Sequence, residues 1–117
     1  MEKGHVFILP DVFTTISGYA ATNCFGVKGM AARSATDGLV RLLRRDALAK
    51  GVKIRFSEGD GGKGQVNIEL HIVVEHGVNM PALCDAIIGE VRYIVEKLTG
   101  VPVGSVDIYV DSVMTEA

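Results

Sequence analysis

The chain has 117 residues, 48% of them apolar, with 12 basic and 14 acidic side chains for a net charge of −2. That is enough apolar material for one core in one domain spanning residues 1–117, too much for a disordered chain, and too little basic excess for a dedicated nucleic-acid binder. No apolar run approaches the ~18 residues a membrane span requires, so direct insertion is not expected.

Taken from the start, Met1–His5 lacks the basic, greasy and small-residue pattern of a signal peptide. Cys24 and Cys84 sit in apolar segments and read as reduced, buried thiols, which points to a cytoplasmic protein. His5-Val6-Phe7-Ile8-Leu9 suits a short strand. Pro10-Asp11 marks a helix start, and Val12, Ile16, Tyr19, Ala20 and Cys24 repeat at the spacing of one helical face, ended by Gly26. Val27–Met30 fits a short strand, Ala31–Asp37 a loop, and Gly38–Arg45 a short helix closed before Gly51.

Beyond Gly51 the periodicities sharpen. Val52, Ile54 and Phe56 alternate with Lys53, Arg55 and Ser57, the pattern of a half-buried strand. Gly59-Asp60-Gly61-Gly62-Lys63-Gly64 makes a hairpin tip, and a long strand from Gln65 to His76 follows. Val66, Ile68, Leu70, Ile72 and Val74 occupy one side of it; Asn67, Glu69, His71, Val73 and Glu75 occupy the other. Asn79 is a natural N-cap, Pro81 suits the first turn, and the spacing predicts a helix from Met80 to about Thr99 with Gly100 after it. Its stripe is read as Leu83, Ile87, Val91, Ile94 and Leu98, widened by Cys84, Ile88 and Val95, with Asp85, Arg92 and Glu96 pointing away. A last strand alternates Val106, Ile108 and Val110 with Asp107, Tyr109 and Asp111. The expected architecture is α+β: a two-layer sandwich of one mixed sheet, with two main helices and a short helix on one face. The step from Gln65 to Val113 should be a right-handed crossover between parallel strands.

If helices cover the apolar side, Lys53, Arg55, Glu69, His71, Val73, Glu75, Asp107, Tyr109 and Asp111 share the open one. Such a face is either a solvated surface or a docking surface with His71, Val73 and Tyr109 at a partly apolar centre. Arg41, Arg44, Arg45 and Lys50 form a local basic patch, a solvated helical face or a contact for an acidic partner or membrane surface. The string Gly59–Gly64 matches G-x-G-x-x-G, yet a strand follows it where a dinucleotide site needs a helix N-terminus. Metal-ligand spacings of the C-x-x-C or H-E-x-x-H kind are missing, and His71 and His76 face opposite sides of a strand. Ser34, Thr36 and Asp37 have no base in predicted reach. Catalytic residues, cofactors and metals are therefore not expected.

The order of motifs resembles the alkaline-shock, or envelope-stress-response, family of Gram-positive bacteria. The likeness rests on the opening run with Pro10 and Gly26-Val27 with Met30, then Lys50-Gly51-Val52-Lys53-Ile54. It continues through Gly77-Val78-Asn79-Met80-Pro81, Val95-Glu96-Lys97-Leu98-Thr99-Gly100 and Val106-Asp107-Ile108-Tyr109-Val110. The Gly59–Gly64 tip is not a feature of that family, and the long polar extensions of some members are lacking. The resemblance implies a non-enzymatic cytoplasmic scaffold linked to cell-envelope and alkaline stress. It would self-associate as a homo-oligomer and could lie beneath the membrane through a membrane-anchored protein partner. The alternative is a small RNA-binding module using the open sheet face and the Arg41/Arg44/Arg45 cluster. Only Tyr109 offers an aromatic platform there, and four carboxylates (Glu69, Glu75, Asp107 and Asp111) oppose phosphate.

Overall fold

The computed structural model describes residues 4–30 and 50–114. Helix α1 covers Pro10–Thr22, with Pro10 at its first turn and Asp11 near its positive end. Strands β1 (Val27–Met30) and β2 (Val52–Glu58) precede a single 3₁₀ turn at Asp60–Gly62. Strand β3 spans Gly64–Glu75, helix α2 spans Met80–Thr99, and strand β4 spans Val103–Met114.

β3 is the axis of the sheet. One of its edges pairs antiparallel with β2 near its start and with β1 near its end. Its other edge pairs with β4 in parallel, from Val66↔Val103 to Glu75↔Met114. The sheet is therefore mixed, and the strand–helix–strand step does put its strands parallel. β3 reads in the sequence as it folds: Val66, Ile68, Leu70, Ile72 and Val74 are all buried against the helices.

α2 closes the other layer. The Asn79 side chain accepts a hydrogen bond from the Ala82 N–H at 3.1 Å, and Gly100 takes the left-handed conformation (φ 76°) that ends the helix. Leu83, Ile87, Val91 and Val95 are its buried residues, so the stripe ends at Val95, whereas Leu98 is exposed. Arg92 and Glu96, expected to point away, instead grip the start of β4. The Arg92 guanidinium donates to the Val103 carbonyl, and Glu96 accepts from the Val103 N–H at 2.8 Å. Val95 continues the i, i+4 row of Leu83, Ile87 and Val91, and Leu98 falls outside it. The clasp extends β4 back to Val103, itself buried.

Three further expectations need correction. Residues 5–9 form no strand: Val6, Phe7 and Leu9 are exposed, only Ile8 reaches the core, and the run pairs with none of the four strands. The buried side of α1 is Phe13, Ser17, Gly18, Ala20 and Ala21; of the expected stripe, Ala20 is buried and Ile16 and Cys24 pack against the core, while Val12 and Tyr19 are exposed. Phe13 fills that side with a fully buried ring, and the small side chains after it let α1 pack against α2. Phe56 is half-exposed and meets Phe13 edge-on, with ring centroids 5.5 Å apart. The expected short helix at 38–45 lies outside the described residues. No helix among the described residues is long and apolar enough to cross a membrane.

Candidate interaction face

Pairing in the sheet sets the open face row by row. Lys53 lies opposite Glu69, which lies opposite Asp107; Arg55 lies opposite Asn67, and Asn67 opposite Ser105. His71 lies opposite Tyr109. The cations Lys53 and Arg55 therefore line the β2 side, and carboxylates line the β4 side. Every expected face residue is described; Lys53, Arg55, Asp107, Tyr109 and Asp111 are exposed, while Glu69, His71, Val73 and Glu75 are half-buried.

At the centre is a connected cluster. The Nε2 of His71 donates to Glu69 Oε2 at 2.7 Å, and its Nδ1 donates to Asp111 Oδ1 at 3.0 Å. The ring stacks on Tyr109, with centroids 4.8 Å apart and planes 11° from parallel. A carboxylate can only accept, so both bonds together require the doubly protonated imidazolium. These contacts raise the His71 pKa: the bond to Glu69 acts first and that to Asp111 second, against desolvation. Glu69 is held below the usual carboxylate range, chiefly by His71 and then by the charges of Lys53 and Arg55. Asp111 follows Tyr109 by two residues on the same face, and the β3–β4 register shifts between Ile72↔Val110 and Val73↔Ser112, leaving Asp111 as the extra residue of a bulge beside His71.

The rim is polar and mutually bonded. Asn67 Nδ2 donates to Ser57 Oγ at 2.7 Å, Gln65 Nε2 donates to the same oxygen at 3.2 Å, and Ser105 Oγ donates to Asn67 Oδ1 at 3.1 Å. Lys28 pairs with Glu75 at 3.5 Å, bringing β1 into the face. Gln65, Ser105 and Lys28 escaped the sequence reading, whereas Ser57 falls on the polar side of β2 as its alternation with Phe56 predicts. Extending the odd-numbered alternation of β4 back to residue 105 would have found Ser105, whereas Lys28 needed the position of β1.

The other expected features fall elsewhere. Arg41, Arg44 and Arg45 of the basic patch lie outside the described residues, as do Ser34, Thr36 and Asp37; Lys50 stands half-buried in the turn before β2. The Gly59–Gly64 tip bends through Gly61 and Gly62 at positive φ and runs straight into β3, with no helix N-terminus for a phosphate. Among the described residues no three His, Cys, Asp or Glu side chains form a metal-holding group. Both ring nitrogens of His71 are already engaged by carboxylates. Cys24 and Cys84 are free and half-buried. Cys24 lines a groove of about 650 Å³ between the end of α1 and the first half of α2, beside Phe25, Val78, Leu83 and Glu90. Burial, then Glu90, pushes its thiol up, away from nucleophilic use. The groove faces away from the charged cluster, and the described residues assemble no nucleophile–base pair within it.

Comparison with known proteins agrees with the motif order. The model of the alkaline-shock protein family, described as having a cell envelope-related function, matches residues 1–115. The chain is 33% identical to the YloU protein of Bacillus subtilis (strain 168) over 113 residues, 96% of this chain and 90% of that one. It is 32% identical to the Spy1614 protein of Streptococcus pyogenes serotype M6, over 96% of this chain and 89% of the relative. A second Bacillus subtilis protein, YqhY, is 29% identical over 92% of this chain and 75% of its own length. No solved structure matches significantly.

Proposed function

The chain belongs to the alkaline-shock protein family, of cell envelope-related function, and on that basis we propose that it acts as a non-enzymatic scaffold whose open sheet face docks a second copy of itself. One observation carries this reading: opposite charges are segregated to opposite sides of β3. Lys53 and Arg55 stand on β2, and Asp107 and Asp111 stand beyond β3 on β4. A two-fold axis lying between two such faces, parallel to the strands, sets each β2 over the partner's β4. Lys53 then meets the Asp107 row of the other copy, and His71 and Tyr109 lie near the axis. Such an interface is self-complementary in charge, with a partly apolar centre and a polar rim. A membrane-anchored protein partner, implied by the resemblance, would bring the assembly to the envelope. The acidic β4 side disfavours an RNA backbone on the same surface.

Paired charge reversals test the arrangement. Lys53→Glu/Arg55→Glu and Asp107→Lys/Asp111→Lys should each sediment as monomers, and Tyr109→Glu should do the same. Mixing the two charge-reversed proteins should restore association, because each then supplies what the other lost. Mixtures that stay monomeric while the wild type associates would exclude this geometry. Salt-sensitive retention of the wild type on an oligonucleotide column would favour RNA instead.

A further inference from the structure

The centre of the face holds its charges in an arrangement that depends on one proton. His71 faces Glu69 and Glu75 from its own strand, Lys53 and Arg55 from β2, and Asp107, Tyr109 and Asp111 from β4. Glu75 is occupied by Lys28 of β1. With His71 protonated, three cations (Lys53, Arg55 and His71) balance three carboxylates (Glu69, Asp107 and Asp111). Glu69 and Asp111 are then drawn toward one ring. The flat Tyr109 face under that ring also favours a cation over a neutral imidazole.

We propose that His71 is a proton-operated control on mutual docking: its imidazolium clasps Glu69 and Asp111 together and keeps the face neutral, and loss of the proton to water opens the clasp and makes two apposed faces repel. This rests on the docking reading above and adds its regulation. A neutral imidazole has one N–H and one lone pair. It can keep a donor bond to only one of the two carboxylates, and the other is left facing a lone pair. Each face then carries two cations against three anions. Under the two-fold arrangement both copies present that excess near the axis, where like charges approach most closely. The imidazole pKa lies above its ordinary value for the reasons already given, so the transition belongs on the alkaline side of ordinary histidine titration.

Two measurements on the full chain test it. Imidazole ¹⁵N spectra should show both His71 nitrogens protonated at low pH, with one proton lost at a raised midpoint. Sedimentation across the same range should show the dimer Kd rising at least about tenfold through that midpoint, since like charges juxtaposed at an interface weaken it. His71→Arg keeps a permanent cation able to bridge two carboxylates, and circular dichroism confirms that the variant is folded. Its association should stay strong on both sides of the midpoint. Wild-type association that is unchanged through the midpoint, or that weakens equally in His71→Arg, overturns the proton control and leaves docking intact. So does a singly protonated ring at a pH where the dimer is tight. Absence of association even below the midpoint overturns the docking reading, and the control with it.

Discussion

His71 is the residue on which the open face is organised, and its chemistry reaches folding as well as association. Its pKa is raised in the folded chain, so the stability it contributes is complete below the unfolded imidazole pKa and is lost as pH rises through the folded one. Glu69 is shifted the other way. Its contribution is present above the ordinary carboxylate range and is lost as pH falls through the depressed folded value. Thermal unfolding followed against pH should therefore show a shallow plateau bounded by these two transitions. Solvent screening keeps the effect small, a shift of a few degrees at most in Tm. Glu69→Gln should flatten the acid limb and lower the alkaline transition. An unchanged profile in that variant would show that the bond does not persist in solution. At this scale the sequence was partly legible. Alternation alone put Glu69, His71 and Tyr109 on one surface, since side chains two apart in a strand share a face. Asp111 was also assigned there, although the bulge at which it meets His71 is not encoded by alternation.

At the scale of elements, β3 and α2 were the most readable, because each carries strong periodicity and explicit ends. The α2 caps are local chemistry: an Asn79 oxygen on the Ala82 N–H, and a glycine at 100 in the left-handed region. Asn79→Ala should cost about 1 kcal/mol of unfolding free energy, and Gly100→Ala a similar amount, both measured by urea denaturation with an unchanged slope. α1 was less readable. Its inner face is Phe13 with Ser17, Gly18, Ala20 and Ala21, and a hydrophobicity pattern overlooks small residues such as Ser17 and Gly18 that bury by close approach. The run at residues 5–9 has the composition of a strand but pairs with none of the four strands. Strand formation depends on a partner, which local sequence does not supply.

For the whole molecule, one sheet with helices against one side leaves a broad flank whose charges are sorted by strand. Association through that flank is electrostatic at its rim and should weaken with ionic strength. Raising salt from about 0.05 to 0.5 M, which shortens the screening length severalfold, should raise the dimer Kd. Sedimentation equilibrium would measure this, and a Kd that fell with salt would point to the apolar groove beside Phe25 in place of the charged face. Membership of the alkaline-shock protein family sets the biological frame as the cell envelope; the face supplies the physical means of assembly proposed within it.

Local sequence was sufficient for the long strand and its two faces, the long capped helix, the polar character of the open side and the family. All of these follow from short-range periodicity, from capping groups or from motif order. Packing in three dimensions chose which strands border β3, which side of α1 turns inward, and that Arg92 and Glu96 fasten β4. It also brought Asp111 against the second nitrogen of His71. These outcomes join groups on different elements, from 7 residues apart for Glu96 and Val103 to 40 for His71 and Asp111, and such meetings are settled by packing and register rather than by local preference.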